Sequence, residues 1–223
     1  MKIFLKDKKQ LSQDIFEFVF TPEKEINWIS GQFLQYYIDC KDDTRGSDRF
    51  FTITSSPLEK DILLTTRFSI PGSMFKQKLK DLKIGESISA EGPWGKFVLD
   101  NDYESKKLFF IAGGIGITPF RSIIKDFLLK KENNVDITLL YYNKTDKFIY
   151  RDEFDNSFVK TYYQVGSMSM NSLKDNIVIS TNSLYYVSGP EGFVKNTEDI
   201  LINQLNIPKT LIKTDFFPGY TSV

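Results

Sequence analysis

The spacing of apolar residues changes near residue 105, and this change restricts the chain to two different folds in succession. Up to about residue 100, apolar side chains recur at every second position, as at Phe16, Phe18 and Phe20, which is typical of β-strands. Later, continuous apolar runs such as Leu108–Ala112 and Leu139–Tyr142 alternate with segments of helical spacing. The first pattern predicts an antiparallel barrel or sandwich, and the second predicts a parallel α/β sheet covered on both faces.

The same spacing predicts the individual elements. In the first half it predicts one helix, Ser73–Leu82, and the strands Asp14–Phe20, Gln32–Asp39, Arg49–Thr54, Asp61–Ser69 and Ser87–Ala90. In the second half it predicts the strand Leu184–Val187 and the helices Phe120–Lys131 and Glu191–Leu205. The polar segment Asn101–Lys106 is typical of a linker, so we expect two domains, residues 1–100 and 106–223.

Composition excludes several classes of function. Lysine plus arginine equals aspartate plus glutamate at 29 each, so we expect no nucleic-acid partner. Histidine is absent and Cys40 is the only cysteine, which removes the usual ligands of zinc, haem and iron–sulfur clusters. Any redox chemistry then requires an organic cofactor. A lone thiol, a charged N-terminus and the lack of an apolar run of roughly 18 to 20 residues favour a cytoplasmic protein without membrane insertion.

A glycine-rich turn follows the strand at residue 108. In LFFIAGGIGITPFRSII, Gly113, Gly114 and Gly116 separate a buried strand from a helix that has Pro119 in its first turn. Residues without a β-carbon allow backbone amides to approach a phosphate, and the helix N-terminus attracts anions. The segment therefore predicts a dinucleotide or phosphate site, although a plain strand-to-helix turn would have the same composition.

The strand RFFT combines one arginine with two aromatic rings and a hydroxyl. Alternation places Arg49 and Phe51 on one face and Phe50 and Thr52 on the other. A guanidinium pairs with phosphate, and aromatic rings stack on adenine or isoalloxazine. Two alternatives stay open: Phe50 and Phe51 as ordinary barrel core, and Arg49 as a solvated charge.

Together these motifs resemble ferredoxin–NADP reductase-like flavoenzymes. The run RFFTITSSP resembles their R-x-Y-[ST] flavin motif, and GSMFK resembles their pyrophosphate-binding loop and helix. The segments GGIGITPFRS, YYNKTDKFIYRDEF, Ser188–Pro190 and TDFFPGY resemble, in chain order, the nucleotide loop, the following strand and turn, the C-G-P motif and the terminal E-x-F-x-G-Y. This similarity implies an antiparallel flavin-binding β-barrel followed by a Rossmann-like α/β nucleotide domain.

The resemblance also implies cofactors and residue roles. It implies hydride transfer from NADPH or NADH to N5 of FAD, with Thr52, Thr118 and Ser188 beside the reacting rings. FAD is expected rather than FMN because the loop at residues 72–76 is typical of a pyrophosphate site. The implied flavin contacts are Arg49, Phe50, Phe51, Thr52, Thr66, Arg67, Gly72, Ser73, Met74, Phe75 and Lys76. The implied nucleotide contacts are Gly113, Gly114, Gly116, Thr118, Pro119, Asn143, Lys144, Gly189 and Pro190, and Phe217 and Tyr220 complete the cofactor set.

Four features depart from the family pattern or leave alternatives. Phe51 replaces the commoner tyrosine, and Ser188 replaces a frequent cysteine. The cysteines of a two-iron cluster are missing, as in a bare reductase module. The terminal aromatic segment is expected either to cover the isoalloxazine or to form a plain edge strand.

The sequence leaves the electron acceptor open among ferredoxin, flavodoxin, an oxygenase, ferric chelates and free flavin. One alternative is a flavin reductase with dissociable flavin, and another is an electron-transfer subunit that works only in a complex. Lys144 and Lys147 favour NADPH over NADH, although Asp146 lies between them.

Overall fold

A computed structural model describes residues 1–40, 43, 46–68 and 72–217. The chain forms two compact units. The first contains Met1–Val98 together with Arg121–Asp126, and the second contains Leu99–Phe120 and the chain from Phe127 onward. None of the helices among the described residues is long and apolar enough to cross a membrane.

The first unit is built on a six-stranded antiparallel sheet in the order β4-β3-β6-β1-β2-β5. Its strands are β1 (Lys2–Gln10), β2 (Ile15–Pro22), β3 (Phe33–Tyr37), β4 (Asp48–Thr52), β5 (Ile62–Arg67) and β6 (Ser87–Trp94). The amide of Thr54, just after β4, donates to the carbonyl of Leu63 in β5 at 2.8 Å. This hydrogen bond joins the segment after β4 to β5, the strand at the other end of the sheet order, so the sheet closes like a barrel.

Helix α1 (Met74–Asp81) buries Phe75 and Leu79 in the barrel core. Ser73 caps its first turn by accepting from the Lys76 amide. At the other end, Lys8 Nζ donates to the carbonyls of Lys80 and Leu82 at 2.7 and 2.8 Å. A lysine at this position satisfies carbonyls that the helix leaves unpaired, so β1 stabilises the end of α1.

Both tryptophans of the chain lie in the first unit. Trp28 is buried in the core and donates from Nε1 to the Ser55 carbonyl at 3.2 Å. Trp94, at the end of β6, is 41% exposed.

The second unit contains a five-stranded sheet in the order β11-β10-β7-β8-β9, and every described pairing is parallel. Its strands are β7 (Lys107–Gly113), β8 (Asp136–Asn143), β9 (Lys160–Val165), β10 (Ser183–Pro190) and β11 (Ile212–Phe217). The helices in this part of the chain are α2 (Thr118–Lys130), of which Arg121–Asp126 belongs to the first unit, α3 (Arg151–Asp155), α4 (Met170–Lys174) and α5 (Glu191–Asp199). The strand order reverses between β7 and β10, the position at which open α/β sheets bind ligands.

The predicted fold class is confirmed: an antiparallel barrel-like sheet is followed by a parallel α/β sheet. Sequence spacing did not delimit β1 and β9, which carry a weak apolar pattern. In β1 only Ile3 and Leu5 are buried, and every residue of β9 is partly or fully exposed. The predicted helix Glu191–Leu205 is regular to Asp199 and continues as the π-helical turn Ile200–Gln204.

Candidate functional site

Strand β4 presents two different surfaces, as its alternation predicts. On one face Phe51 packs against Tyr36 and Phe75, with ring centroids 5.7 and 6.1 Å apart. On the other face Phe50 is 54% exposed, so the alternative that placed Phe50 in the barrel core is wrong. For Phe51 the core alternative holds in part, because its half-buried ring packs on the core cluster.

Arg49 is not a solvated charge, because its guanidinium meets a carboxylate at the start of α1. Arg49 Nη2 donates to Asp43 Oδ2 at 2.9 Å, and the Phe75 amide donates to the same oxygen at 3.2 Å. The guanidinium carbon also lies 5.3 Å from the centroid of the Phe75 ring. We call the Arg49 guanidinium and the Phe75 amide the anion cradle. Both donors belong to the predicted flavin contacts, and the bound carboxylate shows that they converge on one anionic oxygen.

The other predicted flavin contacts differ in their partners and in their burial. Lys76 Nζ donates to the Arg67 carbonyl at 2.6 Å and lies 5.9 Å from the centroid of the Phe51 ring. Arg67 pairs with Asp14 at 3.3 Å. Of the remaining predicted contacts, the structure buries Thr52, Thr66 and Ser73 and leaves Gly72 and Met74 accessible.

A buried ion pair holds the chain just beyond β4. Arg121 donates through both terminal nitrogens to the Glu59 carboxylate, at 2.6 and 3.0 Å, and through Nη1 to the Thr54 carbonyl at 3.2 Å. Ser122 Oγ donates to the Ser55 carbonyl at 2.6 Å. This cluster fixes the segment that follows Thr52. The apolar spacing does not indicate this cluster, although the S-x-x-E spacing of Ser56 and Glu59 is the signature of a capping box.

In the second unit the glycine turn lies at the strand-order reversal. Strand β7 ends at Gly113, a 3₁₀ turn follows over Gly114–Ile117, and α2 begins at Thr118. A β-carbon on Gly116 would lie 2.2 Å from the Ser188 carbonyl oxygen, so only glycine fits between the turn and β10. Gly114 has φ +54°, a left-handed conformation that glycine adopts without strain.

Ser188 lies beside this turn with an unsatisfied hydroxyl. Its side chain is fully buried, and in the described part of the chain its Oγ has no hydrogen-bond partner. A buried hydroxyl without a partner costs free energy, which a ligand can recover by hydrogen bonding. Ser188 pairs in register with Asp215 of β11, and burial raises the pKa of that carboxyl to about 6. No motif in the sequence indicated a role for Asp215.

The remaining predicted nucleotide contacts lie at the ends of neighbouring elements. Asn143, the last residue of β8, donates from Nδ2 to the Lys147 carbonyl at 2.7 Å. Its Oδ1 lies 3.9 Å from the β-carbon position built on Gly114. Thr118 Oγ1 donates to the Ile115 carbonyl at 3.2 Å.

The other members of this set are distributed more widely. Lys144 is exposed, and Pro119 occupies the first turn of α2. Gly189 and Pro190 end β10 and pair in register with Phe216 and Phe217 of β11. The terminal aromatic segment is thus an edge strand as far as Phe217, and Tyr220 lies outside the described residues.

Comparison with known proteins gives two domain matches. Residues 2–99 match the oxidoreductase FAD-binding domain, and residues 110–162 match the oxidoreductase NAD-binding domain. The chain is 28% identical over 141 residues to terephthalate 1,2-dioxygenase reductase component 1 of a Comamonas species, covering 63% of this chain and 40% of that protein. It is 29% identical over 149 residues to NADH-cytochrome b5 reductase 2 of Mycosarcoma maydis, covering 66% and 39%.

The fold is also shared with a solved structure. Ferredoxin-NADP+ reductase from Plasmodium falciparum superposes with a TM-score of 0.79 at 18% identity, covering 97% of this chain and 95% of that one. The two curated relatives are longer proteins, and the chain spans well under half the length of each.

Proposed function

Because the chain belongs to the ferredoxin–NADP reductase-like flavin oxidoreductases, with FAD and a nicotinamide nucleotide as cofactors, we propose that it oxidises NADPH or NADH and passes the electrons to a separate acceptor. When bound, the cofactors supply the chemistry, a hydride transfer from nicotinamide to flavin N5. The proposed domain limits are 1–100 for flavin and 106–223 for nucleotide. One observation carries the proposal: Arg49 Nη2 and the Phe75 amide, both predicted flavin contacts, converge on a single anionic oxygen.

In the first unit, the proposed role of the predicted flavin contacts is to bind and orient FAD. Arg49 Nη2 and the Phe75 amide already hold an anionic oxygen, so they suit one phosphate of the FAD pyrophosphate. Ser73 keeps the first turn of α1 in place by accepting from the Lys76 amide. Phe51 offers a ring for stacking but no phenolic hydroxyl, and Thr52 is the proposed hydrogen-bond partner near N5.

In the second unit, the proposed role of the glycine turn is to let the nucleotide come close to the protein backbone. Gly114 and Gly116 bring the backbone near the proposed pyrophosphate position at the start of α2. Thr118 and Ser188 are the proposed neighbours of the nicotinamide, and a ligand there would satisfy the Ser188 hydroxyl. Lys144 follows β8. At this position its positive charge would pair with the 2′-phosphate of NADPH and so favour NADPH over NADH.

The proposed acceptor is a redox protein such as a ferredoxin, a flavodoxin or an oxygenase component. The name of one relative, the reductase component of a dioxygenase, supports this class. A second candidate function is reduction of dissociable flavin. It is favoured by the Asp43 carboxylate, which occupies the donors that would otherwise retain FAD.

Anaerobic stopped-flow of the FAD-loaded protein tests the proposal. We expect the flavin absorbance band to bleach on mixing with NADPH or NADH, with faster reduction by NADPH. A screen of ferredoxin, flavodoxin, ferric chelate and free flavin then identifies the acceptor by the rate at which the band returns. Protein that binds no FAD, or whose bound FAD neither nucleotide reduces, would contradict the proposal.

A further inference from the structure

The Asp43 carboxylate is bound by the two donors that the proposed function assigns to the flavin pyrophosphate. We propose that Asp43 is an internal competitor for the pyrophosphate site and sets how tightly the protein retains FAD. The inference rests on the proposed function, since it takes the anion cradle to be part of the flavin site.

The geometry makes the competition direct. A single oxygen, Asp43 Oδ2, accepts from both Arg49 Nη2 and the Phe75 amide, so the cradle receives one anionic oxygen at a time. The Asp43 side chain is only 4% exposed, which means that the carboxylate is inserted into the cradle rather than lying over it. Arg49 Nη1 is held separately by the Gly46 carbonyl at 3.0 Å. The guanidinium therefore stays in position while its anion is exchanged.

Binding of FAD is then an exchange of anions. A phosphate oxygen that enters the cradle must displace the carboxylate, because two negative charges at hydrogen-bonding distance from the same donors repel each other. Release of Asp43 gives up two charge-assisted hydrogen bonds, which weakens the observed affinity for FAD. In the FAD-free protein, the Asp43 carboxylate accepts hydrogen bonds from both the Arg49 guanidinium and the Phe75 amide, so neither cradle donor lacks an acceptor.

This arrangement predicts opposite effects on stability and affinity. Substitution of Asp43 should lower the stability of the FAD-free protein, because the cradle loses its anion. It should also tighten FAD binding, because the pyrophosphate no longer displaces a carboxylate. A residue with a purely structural role would weaken both properties when it is replaced.

The test uses Asp43→Asn and Asp43→Ala in the full chain, with Asp48→Asn as the matched control. Asp48 follows the same loop, but its carboxylate accepts from Gln35 Nε2 at 2.9 Å rather than from the cradle. Titration of flavin-free protein should give a Kd for FAD about tenfold lower in D43N than in the unaltered protein and unchanged in D48N. Riboflavin, which lacks phosphate, should bind all variants equally.

Thermal denaturation provides a readout that needs neither flavin nor activity. Without ligand, D43N and D43A should melt below the unaltered protein, and inorganic pyrophosphate should raise their melting temperatures more than it raises that of the unaltered protein. An equal or higher Kd for FAD in both Asp43 variants would overturn the inference, as would an equal pyrophosphate shift. If the unaltered protein bound no FAD, the proposed function would fail, and the pyrophosphate comparison would still decide the role of Asp43.

Discussion

Replacement of Gly116 by alanine tests the assignment of the glycine turn most directly. The added β-carbon would lie 2.2 Å from the Ser188 carbonyl oxygen, 2.4 Å from its carbonyl carbon and 2.5 Å from the Gly189 nitrogen. All three are backbone atoms of β10, a central strand, so no side chain can rotate away to relieve the clash. Overpacking of this kind costs about 1–3 kcal/mol. Because the turn itself must shift, the free energy of unfolding and the affinity for nucleotide should fall together.

Urea denaturation and nucleotide titration measure the two effects of G116A. At about 2–4 °C per kcal/mol for a chain of this size, a cost of about 2 kcal/mol lowers the melting temperature by about 4–8 °C. Gly192→Ala is the matched control, because no atom beyond its chain neighbours and its own helix backbone lies within 4 Å of its β-carbon position, and the residue lies in the first turn of α5. That change should stabilise the protein by up to about 1 kcal/mol. If G116A equalled the control in both stability and affinity for NADP+ and NAD+, the tight packing between turn and strand would be refuted.

Three further predictions test other parts of the molecule. Arg49→Lys should raise the Kd for FAD about tenfold and leave riboflavin binding unchanged, because the compact ammonium of lysine replaces the planar guanidinium at the phosphate. Equal losses of affinity for FAD and riboflavin would contradict this prediction. Glu59→Gln should lower the free energy of unfolding in urea by about 3 kcal/mol, because it removes the carboxylate that both terminal nitrogens of the buried Arg121 contact. Lys6→Met, which breaks an exposed ion pair, should cost less than about 1 kcal/mol. Burial raises the pKa of Asp215 from 3.8 to about 6. Between these pH values the unfolded chain loses the Asp215 proton more readily than the folded protein, so the free energy of unfolding falls as the pH rises. The stability advantage of Asp215→Asn should therefore grow between about pH 4 and pH 7 in urea titrations, and a difference independent of pH would refute it.

The elements with strong local patterns were predictable from the sequence. The buried run before Gly113, the glycines after it and Pro119 predict a strand, a turn and a helix, and the structure has them in that order. Alternation likewise predicted that Arg49 and Phe51 share a face, and both side chains lie near the Phe75 ring. Such patterns involve neighbours in the chain, so their consequences can be worked out without the fold.

Contacts between distant segments were not predictable. Asp43 lies in a polar loop, and only the folded barrel brings it to the start of α1. Arg121 is part of a helix that the apolar spacing identified, but its pairing with Glu59 depends on the route of the chain. Edge strands such as β9 were missed for another reason: partial exposure on both faces removes the alternation that would delimit them.

The placement of the two tryptophans has a spectroscopic consequence. Both indoles belong to the first unit. Tryptophan fluorescence therefore monitors the barrel, and the second unit, which has tyrosines but no tryptophan, does not contribute to it. Trp28 should emit at short wavelength and resist collisional quenching by iodide, whereas Trp94 should be red-shifted and readily quenched. During denaturation, the emission and quenching of Trp28 and Trp94 become alike when the barrel unfolds. This change reports the melting of the barrel separately from that of the parallel sheet.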